Sequence, residues 1–358
     1  MTLRPNPSAN GDNGTASPSD RDERASGPSR DRLPMVPARL TEAKVSRESA
    51  LIASLRAIAG SPAARGLLDD AAILEIGGAT LILTHDMLVE GIHYRPSDPP
   101  EDVAWKLVAV NLSDLAAKGA RPVGVLLGYS LGEVEWDERF VAGLGTALRA
   151  FGVDLLGGDT VAGPPGAPRT LGLTAIGEAS GAVPSRAGAR AGDHLWVSGT
   201  IGDSGAGLLG LKGEIAASAA LIERYRNPRP RTEAGEALAP LVSAMMDVSD
   251  GLLIDASRIA AASGLSVAIE LDAVPLSEAL IACLGDSIEA RLGAATAGDD
   301  YELLFAASPE RAAGILALSD RIGVPLTRIG RVEAGSGLAL TCRGEPVALP
   351  PRLGWEHG

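Results

Sequence analysis

An α/β or α+β protein of two units is the fold class this sequence predicts. Short runs rich in Val, Ile and Leu alternate with stretches whose apolar residues recur at helical spacing. One local order, strand then acidic or glycine turn then helix, occurs in both halves. A Gly/Ala/Arg-rich passage from Gly181 to Gly192 separates the halves. With 358 residues, 46% hydrophobic and 22% charged, the chain holds enough apolar material for two cores. No strict repeat of fixed period accompanies the likeness of the halves, which is architectural.

Residues 1–38 are rich in Ser, Pro, Gly, Asn, Asp and Arg and have little apolar surface to offset ordering, so a disordered tail is expected. The first unit, 39–180, opens on a helix near Glu42 to Ala59, in which Leu51, Ile52, Leu55 and Ile58 share helical spacing. Ala71 to Ile76 and Thr80 to Thr84 are strand-like runs on either side of Gly77-Gly78, a hairpin signal. Asp98-Pro99-Pro100-Glu101 starts a helix that runs through Leu107, Val108, Val110, Leu112 and Leu115 to a stop at Gly119-Ala120-Arg121-Pro122. A strand Val123 to Ser130, a helix Trp136 to Phe151, a strand Val153 to Leu156 ending in Gly157-Gly158-Asp159-Thr160, and a strand Thr170 to Glu178 complete the unit. The second unit, 190–358, begins with a strand Leu195 to Ser198 that enters a glycine loop, Gly199 to Gly205, and an Ala/Leu-rich helix. A strand ending at Asp247, a helix Leu252 to Ser263 stopped by Gly264, a strand Ser266 to Leu271 and a strand Tyr301 to Ala306 follow.

The formal charge of −13, from 32 basic and 45 acidic residues, argues against nucleic-acid binding, which needs Lys and Arg to neutralise phosphates. Cys283 and Cys342 stand far apart with no CxxC, so neither a disulfide framework nor a thiolate metal site is expected, and a reducing cytoplasm fits. No apolar run approaches the length of a membrane span, and the N-terminus lacks an apolar signal core.

The chemistry is carried by acidic stations set among small or apolar residues: Asp69-Asp70, Asp86, Asp114, Asp159, Asp247, Asp250 and Asp299-Asp300. A carboxylate in such a setting is costly to desolvate unless a cation or hydrogen-bond donors compensate it. Hard oxygen donors without Cys or paired His favour several Mg²⁺ ions, which usually bridge to substrate phosphates. Asp69, Asp86 and the Thr84 hydroxyl or backbone are candidate ligands at strand ends, although acidic residues there also form plain turns. Asn111 and Asp114 share a helix face, and Asp114 stands four before Lys118, a spacing that also suits a helix-surface ion pair. Gly158 and Asp159 offer close backbone approach and a carboxylate. Asp247-Val248-Ser249-Asp250-Gly251 places two carboxylates and a hydroxyl at a strand-to-helix junction, where phosphate, metal or a simple cap would fit. The Gly199 to Gly205 loop has no GxxxxGK[ST] pattern, and no GxSxG anchors a hydrolase triad. His85, His93, His194 and His357 are too dispersed to argue zinc, and Arg224, Arg226, Arg229 and Arg231 read as a solvated basic loop.

Taken in order, Asp69 to Ala72, Asp86 to His93, Asn111 to Ala120, Gly157 to Thr160, Asp247 to Leu252, Gly298 to Leu303 and Gly354 to His357 resemble the thiamine-monophosphate kinase family of the aminoimidazole ribonucleotide synthetase-like superfamily. The resemblance covers nearly everything after the tail. It implies an N-terminal α/β domain whose sheet pairs across a homodimer, a C-terminal α/β domain, and ATP-dependent phosphorylation of thiamine monophosphate. On matching positions it implies Mg²⁺ ligands at Asp69, Thr84, Asp86, Asp114, Asp159, Asp247 and Asp250. Gly158, Asp159, Arg186 and Ser249 match nucleotide contacts, while His93, Asp299 and Trp355 match contacts to thiamine phosphate. Leu68, His85 and Asp299 stand where the family usually has Gly, Thr and Glu; no metal carboxylate is lost. No covalent nucleophile is expected, because a phosphate oxygen of the acceptor can attack the γ-phosphorus directly. The alternatives are another ATP-dependent synthetase of the superfamily, or a non-catalytic nucleotide- or cation-binding regulator.

Overall fold

The computed structural model describes residues 47–164 and 166–356, so the tail at 1–38 and His357 lie outside the described residues. In chain order the helices are α1 (Arg47–Arg56), α2 (Pro100–Ala117), α3 (Val134–Phe151), α4 (Asp203–Leu211), α5 (Ala219–Arg226), α6 (Thr232–Leu238), α7 (Leu252–Ser263), α8 (Glu278–Leu284), α9 (Ile288–Thr296) and α10 (Ala312–Ile322). The strands are β1 (Ala72–Ile76), β2 (Ala79–Val89), β3 (Arg121–Leu131), β4 (Asp154–Ala162), β5 (Thr170–Ala179), β6 (His194–Ser198), β7 (Ala244–Asp247), β8 (Ser266–Glu270), β9 (Leu303–Ala307), β10 (Leu326–Glu333), β11 (Gly337–Cys342) and β12 (Glu345–Val347).

They form two sheets. The first has the order β1-β2-β5-β3-β4 and is antiparallel except for the β3–β4 pair. Period-two alternation in β2 turns Ile82, Thr84, Asp86 and Leu88 to one face and His85 and Met87 to the other. Ile82 and Leu88 join a core with Leu107, Leu112 and Leu115 of α2 and Phe140 and Leu144 of α3. The second sheet runs β12-β11-β8-β10-β6-β9-β7, with β8 and β11 parallel. Leu252, Leu253, Ala256 and Ile259 of α7 pack with Val197, Met246, Val267 and Leu304, while Ile315, Leu318 and Leu238 pack with Trp196, Met245 and Phe305.

Helix α2 reaches both sheets' cores, since its end residues Ala116 and Ala117 belong to the cluster around Trp196 and Phe305. The approach of α6 to that end needs Gly235: a Cβ there would lie 2.0 Å from the Ala116 carbonyl oxygen. The helix is thereby held in register with both sheets.

The expected β4 differs from the observed one. The strand does not stop at Leu156 but continues through Gly157, Gly158 and Asp159 to Ala162, paired in parallel with β3. Elements α5, α6, α8, α9, α10, β10, β11 and β12 have no counterpart in the sequence expectations.

Candidate active site

The middle of β2, the C-terminal half of α2, the end of β7 and the turn before β1 assemble the acidic centre. Along α2 and its C-cap residue Lys118, Asn111, Asp114 and Lys118 recur at three and four residues and so share one face. The Asn111 side-chain oxygen accepts from the Asp86 amide at 2.9 Å, and its amide donates to the Leu107 carbonyl at 2.9 Å. Asn111 thus locks β2 to α2 beside the carboxylate of Asp86. The Thr84 hydroxyl donates to Asp114 and lies 3.3 Å from the Asp70 carbonyl oxygen. The Ser113 hydroxyl donates to Asp247 at 2.7 Å, bridging α2 to the end of β7. Asp70, Asp114 and Asp247 each offer a carboxylate oxygen within 4.8 Å of the others.

The charges sort into two groups. Asp69 pairs with Lys118 and with Arg65 at 2.5 Å. Asp70 pairs with Arg186 and, at 2.5 Å, with Lys118, whose side chain is fully buried. Burial pushes Asp69 up, but the Lys118 ammonium and then Arg65 outweigh it and bring its carboxyl down to about 2. Asp86, Asp114 and Asp247 have no Lys or Arg ion pair among the described residues. Burial lifts the Asp86 carboxyl against the pull of the neighbouring His85, with the negative charges of Asp250 and Asp70 adding to the rise. Burial raises Asp114 well above the ordinary range, and Asp86, Asp247 and Asp70 push it further. Asp247 rises the same way through burial and then Asp70. Three neighbouring carboxylates that repel one another and have no Lys or Arg ion pair among the described residues could hold a hard cation.

A cavity of about 910 Å³ opens beside this centre and is lined by Asp86, His93, Ser249, Asp250, Asp299 and Trp355 among others. Its rim is built by the 247–251 and 298–302 segments running side by side: Asp299 and Tyr301 donate their amides to the Ser249 and Val248 carbonyls, each at 2.8 Å. Gly298 permits this, because a Cβ there would stand 2.6 Å from the Ser249 oxygen. The C-terminal segment closes over the same turn, with the Trp355 amide donating to the Asp250 carbonyl at 2.9 Å. The Asp250 carboxylate pairs with Arg258 at 2.6 Å, and Arg258 also holds buried Asp255, whose carboxyl burial raises to about 7 against the pull of Arg258.

Most of the residues singled out from the sequence therefore gather at one place: Asp69, Thr84, Asp86, Asp114 and Asp247 at the centre, Arg186 on Asp70, and His93, Ser249, Asp250, Asp299 and Trp355 around the cavity. Gly158 and Asp159 do not join them within one chain. They lie on exposed β4, three strand positions from β2, about 14 Å away by strand spacing. Asp70 takes a more central place than Asp69. Lys118 does not form the helix-surface pair its spacing suggests; it turns inward to Asp69 and Asp70. Of the basic loop, only Arg229 is exposed as expected: Arg224 and Arg231 clasp the buried Glu302 carboxylate, and Arg226 reaches Asp98 at 3.4 Å. In the glycine loop, the Gly202 amide is taken by Asp300 at 2.8 Å rather than left for a phosphate.

This arrangement has known relatives. Residues 68–179 match the family model for the AIR synthase related protein N-terminal domain, and 190–343 match that for its C-terminal domain. A thiamine-monophosphate kinase of Caulobacter vibrioides is 42% identical over 308 residues, covering 84% of this chain and 87% of the relative. The chain belongs to the thiamine-monophosphate kinase family. It is accordingly an enzyme, a kinase of the phosphotransferase class. Among solved structures, AaThiL complexed with AMPPCP and TMP is 32% identical with a TM-score of 0.74, covering 87% of this chain and 97% of that one. The thiamine-monophosphate kinase of Stenotrophomonas maltophilia is 36% identical with a TM-score of 0.68, covering 84% and 96%. The two-sheet architecture is the family's own.

Proposed function

We propose that this enzyme transfers the γ-phosphoryl group of ATP directly to the phosphate of thiamine monophosphate, giving thiamine diphosphate and ADP. The observation that carries the reading is the set of three carboxylates, Asp86, Asp114 and Asp247, that have no Lys or Arg ion pair among the described residues, beside a cavity large enough for substrate. The donor set fits Mg²⁺: all-oxygen and anionic, with the Asp70 carboxylate and the Thr84 hydroxyl adjacent. Bound there, several Mg²⁺ ions would neutralise the phosphate oxygens of both substrates, whose mutual repulsion otherwise opposes their approach.

The chain's own residues supply position. Asn111 and Ser113 hold β2 and β7 against α2, so the carboxylates sit on a rigid frame. Asp250 and Ser249 edge the cavity at the start of α7, with Arg258 limiting the freedom of Asp250. The acceptor lies on the side of His93, Asp299 and Trp355, the nucleotide on the side of Arg186 and Ser249.

A homodimer completes the reading. Every residue of β4 is exposed, including Leu155, Leu156 and Val161, and Met87 and Leu126 of the same sheet are exposed as well. Covering that apolar surface with a second copy buries it, and Asp159, remote from the centre of its own chain, then serves the centre of the other copy. None of the described helices is long and apolar enough to cross a membrane, and the enzyme works in the cytoplasm on this reading. The test is direct: protein, MgATP and thiamine monophosphate are mixed and products separated. Thiamine diphosphate and ADP in equal amounts are expected, with free thiamine a poor acceptor. Absence of thiamine diphosphate refutes the assignment.

A further inference from the structure

Lys106 lies on α2 and is 2% exposed. Its ammonium stands 2.7 Å from Asp299 Oδ2 and 3.2 Å from the His93 carbonyl oxygen, over the Tyr225 ring at 4.1 Å from the centroid. It does not line the cavity, whereas both residues it holds do. Asp299 Oδ1 accepts from the Tyr301 hydroxyl at 3.0 Å, so each carboxylate oxygen is clasped once. A carboxylate has about four acceptor positions, and two stay open for a ligand. The His93 Nδ1 accepts the Val89 amide at 3.0 Å, which puts the ring proton on Nε2.

The Asp299 segment is shaped at a cost. Asp299 and Tyr301 take φ of +68° and +52°, a region few residues other than glycine visit. Alternate side chains fix it from below: Asp300 accepts the Gly202 amide, and Glu302 takes Ser198, Arg224 and Arg231. Those contacts anchor the segment to the second sheet's unit. The His93 turn follows β2 of the first sheet. Lys106 is the charged group that reaches both, and it sits eight residues, about 12 Å along the helix, before Asp114.

We propose that Lys106 is a positioning residue for the acceptor subsite: it fixes and orients the Asp299 carboxylate against the His93 turn, so that Asp299 accepts from an N–H donor of a flat heterocyclic acceptor while His93 Nε2–H donates to one of its ring nitrogens. The inference rests on the kinase reading above. Removal of Lys106 leaves the acidic centre in place and loosens only the acceptor side.

The experiment uses the full chain and compares wild type, Lys106→Met, Tyr301→Phe, Asp299→Asn and the Lys106→Met/Asp299→Asn double variant, each with its melting temperature. Lys106→Met is expected to raise KM for thiamine monophosphate about 10- to 100-fold and leave KM for ATP within about twofold. Tyr301→Phe, which leaves no buried charge unpaired, raises the same KM about 3- to 10-fold, so the test survives a Lys106→Met chain that does not fold. In the Asp299→Asn background, Lys106→Met adds no further loss, because Lys106 acts through that carboxylate. Unchanged acceptor KM in the variants of an active wild type overturns the inference alone, as does an equal rise for both substrates or full additivity in the double variant. A wild type that forms no thiamine diphosphate brings down the kinase reading and this inference together.

Discussion

Replacing Lys118 with Met removes a fully buried ammonium shared by two carboxylates while keeping most of the stem's volume. Breaking a buried ion pair from one side typically costs about 3–5 kcal/mol, because the remaining charge is left uncompensated. Here Asp69 keeps Arg65 and Asp70 keeps Arg186, which places the loss at the lower end, about 3 kcal/mol. With a urea slope of about 3 kcal/mol/M for a chain of this size, the midpoint falls by about 1 M. A divalent ion can supply part of the missing positive charge, so Mg²⁺ raises the midpoint of the variant more than that of wild type. Urea melts followed by tryptophan fluorescence, with Mg²⁺ or with chelator, measure both effects. A midpoint within about 0.2 M of wild type, or equal stabilisation of both proteins by Mg²⁺, refutes the account of Lys118 as a structural countercharge.

Asp114→Asn removes a charge from the cation-free group with little change in volume, so turnover at limiting Mg²⁺ should fall at least about 100-fold, several kcal/mol of lost charge stabilisation, with the melting temperature preserved; near wild-type turnover refutes the ligand role. Asp114 and Asp247 hold their protons above the ordinary carboxylate range when the centre is empty, so a binding cation must displace protons and Mn²⁺ affinity should rise with pH between pH 5 and 8, as titration calorimetry in buffers of different ionisation enthalpy will show. The same raised values mean that their contribution to stability is present below the unfolded carboxyl pKa and is lost as pH rises through the folded one; in chelator the protein is therefore more stable at pH 5.5 than at pH 8, and Mg²⁺ shrinks that difference. Asp159 should act on a second copy: Asp159→Asn and Asp114→Asn are each inactive alone, and mixing them after dissociation restores about a quarter of wild-type activity if each site takes Asp159 from the other chain. No recovery in mixed dimers refutes sharing of the site.

The acidic cluster was more legible in the sequence than the fold around it. Asp86, Asp114 and Asp247 stood out because charge in an apolar setting is a local anomaly, visible without knowing what lies opposite. The partner of a charge is a different matter. Asp114 and Lys118 are correctly spaced for a surface pair, yet the helix is buried on that face, and Asp69 and Asp70 from a distant turn offer Lys118 a drier and stronger pairing. Arg224 and Arg231 sit among prolines like a solvated loop, and only the fold brings them onto Glu302. Strand β10 was illegible for a local reason: a register shift between Arg328 and Gly330 interrupts the alternation that marks a strand. Strand β4 ran past its expected end because Gly157 and Gly158, read as a stop, are accommodated at a sheet edge; a Cβ on Gly158 would lie 2.0 Å from the Leu127 oxygen.

One helix sets the distances on which the chemistry depends. Lys106 faces the His93 and Asp299 loops, Asn111 and Asp114 the carboxylates without a Lys or Arg pair, and Lys118 the two paired aspartates, at intervals that keep these side chains on one side of α2 and its C-cap. Because α2 is packed into the first core along its length and into the second at its end, those intervals cannot stretch without opening both. A loop carrying the same four side chains would have to order each of them on binding, whereas here folding has already done so. The candidate site is therefore as stiff as the junction of the two sheets, and a side chain added at Gly235, where a Cβ would lie 2.0 Å from the Ala116 carbonyl oxygen at the end of α2, is expected to disturb the acidic centre without touching it.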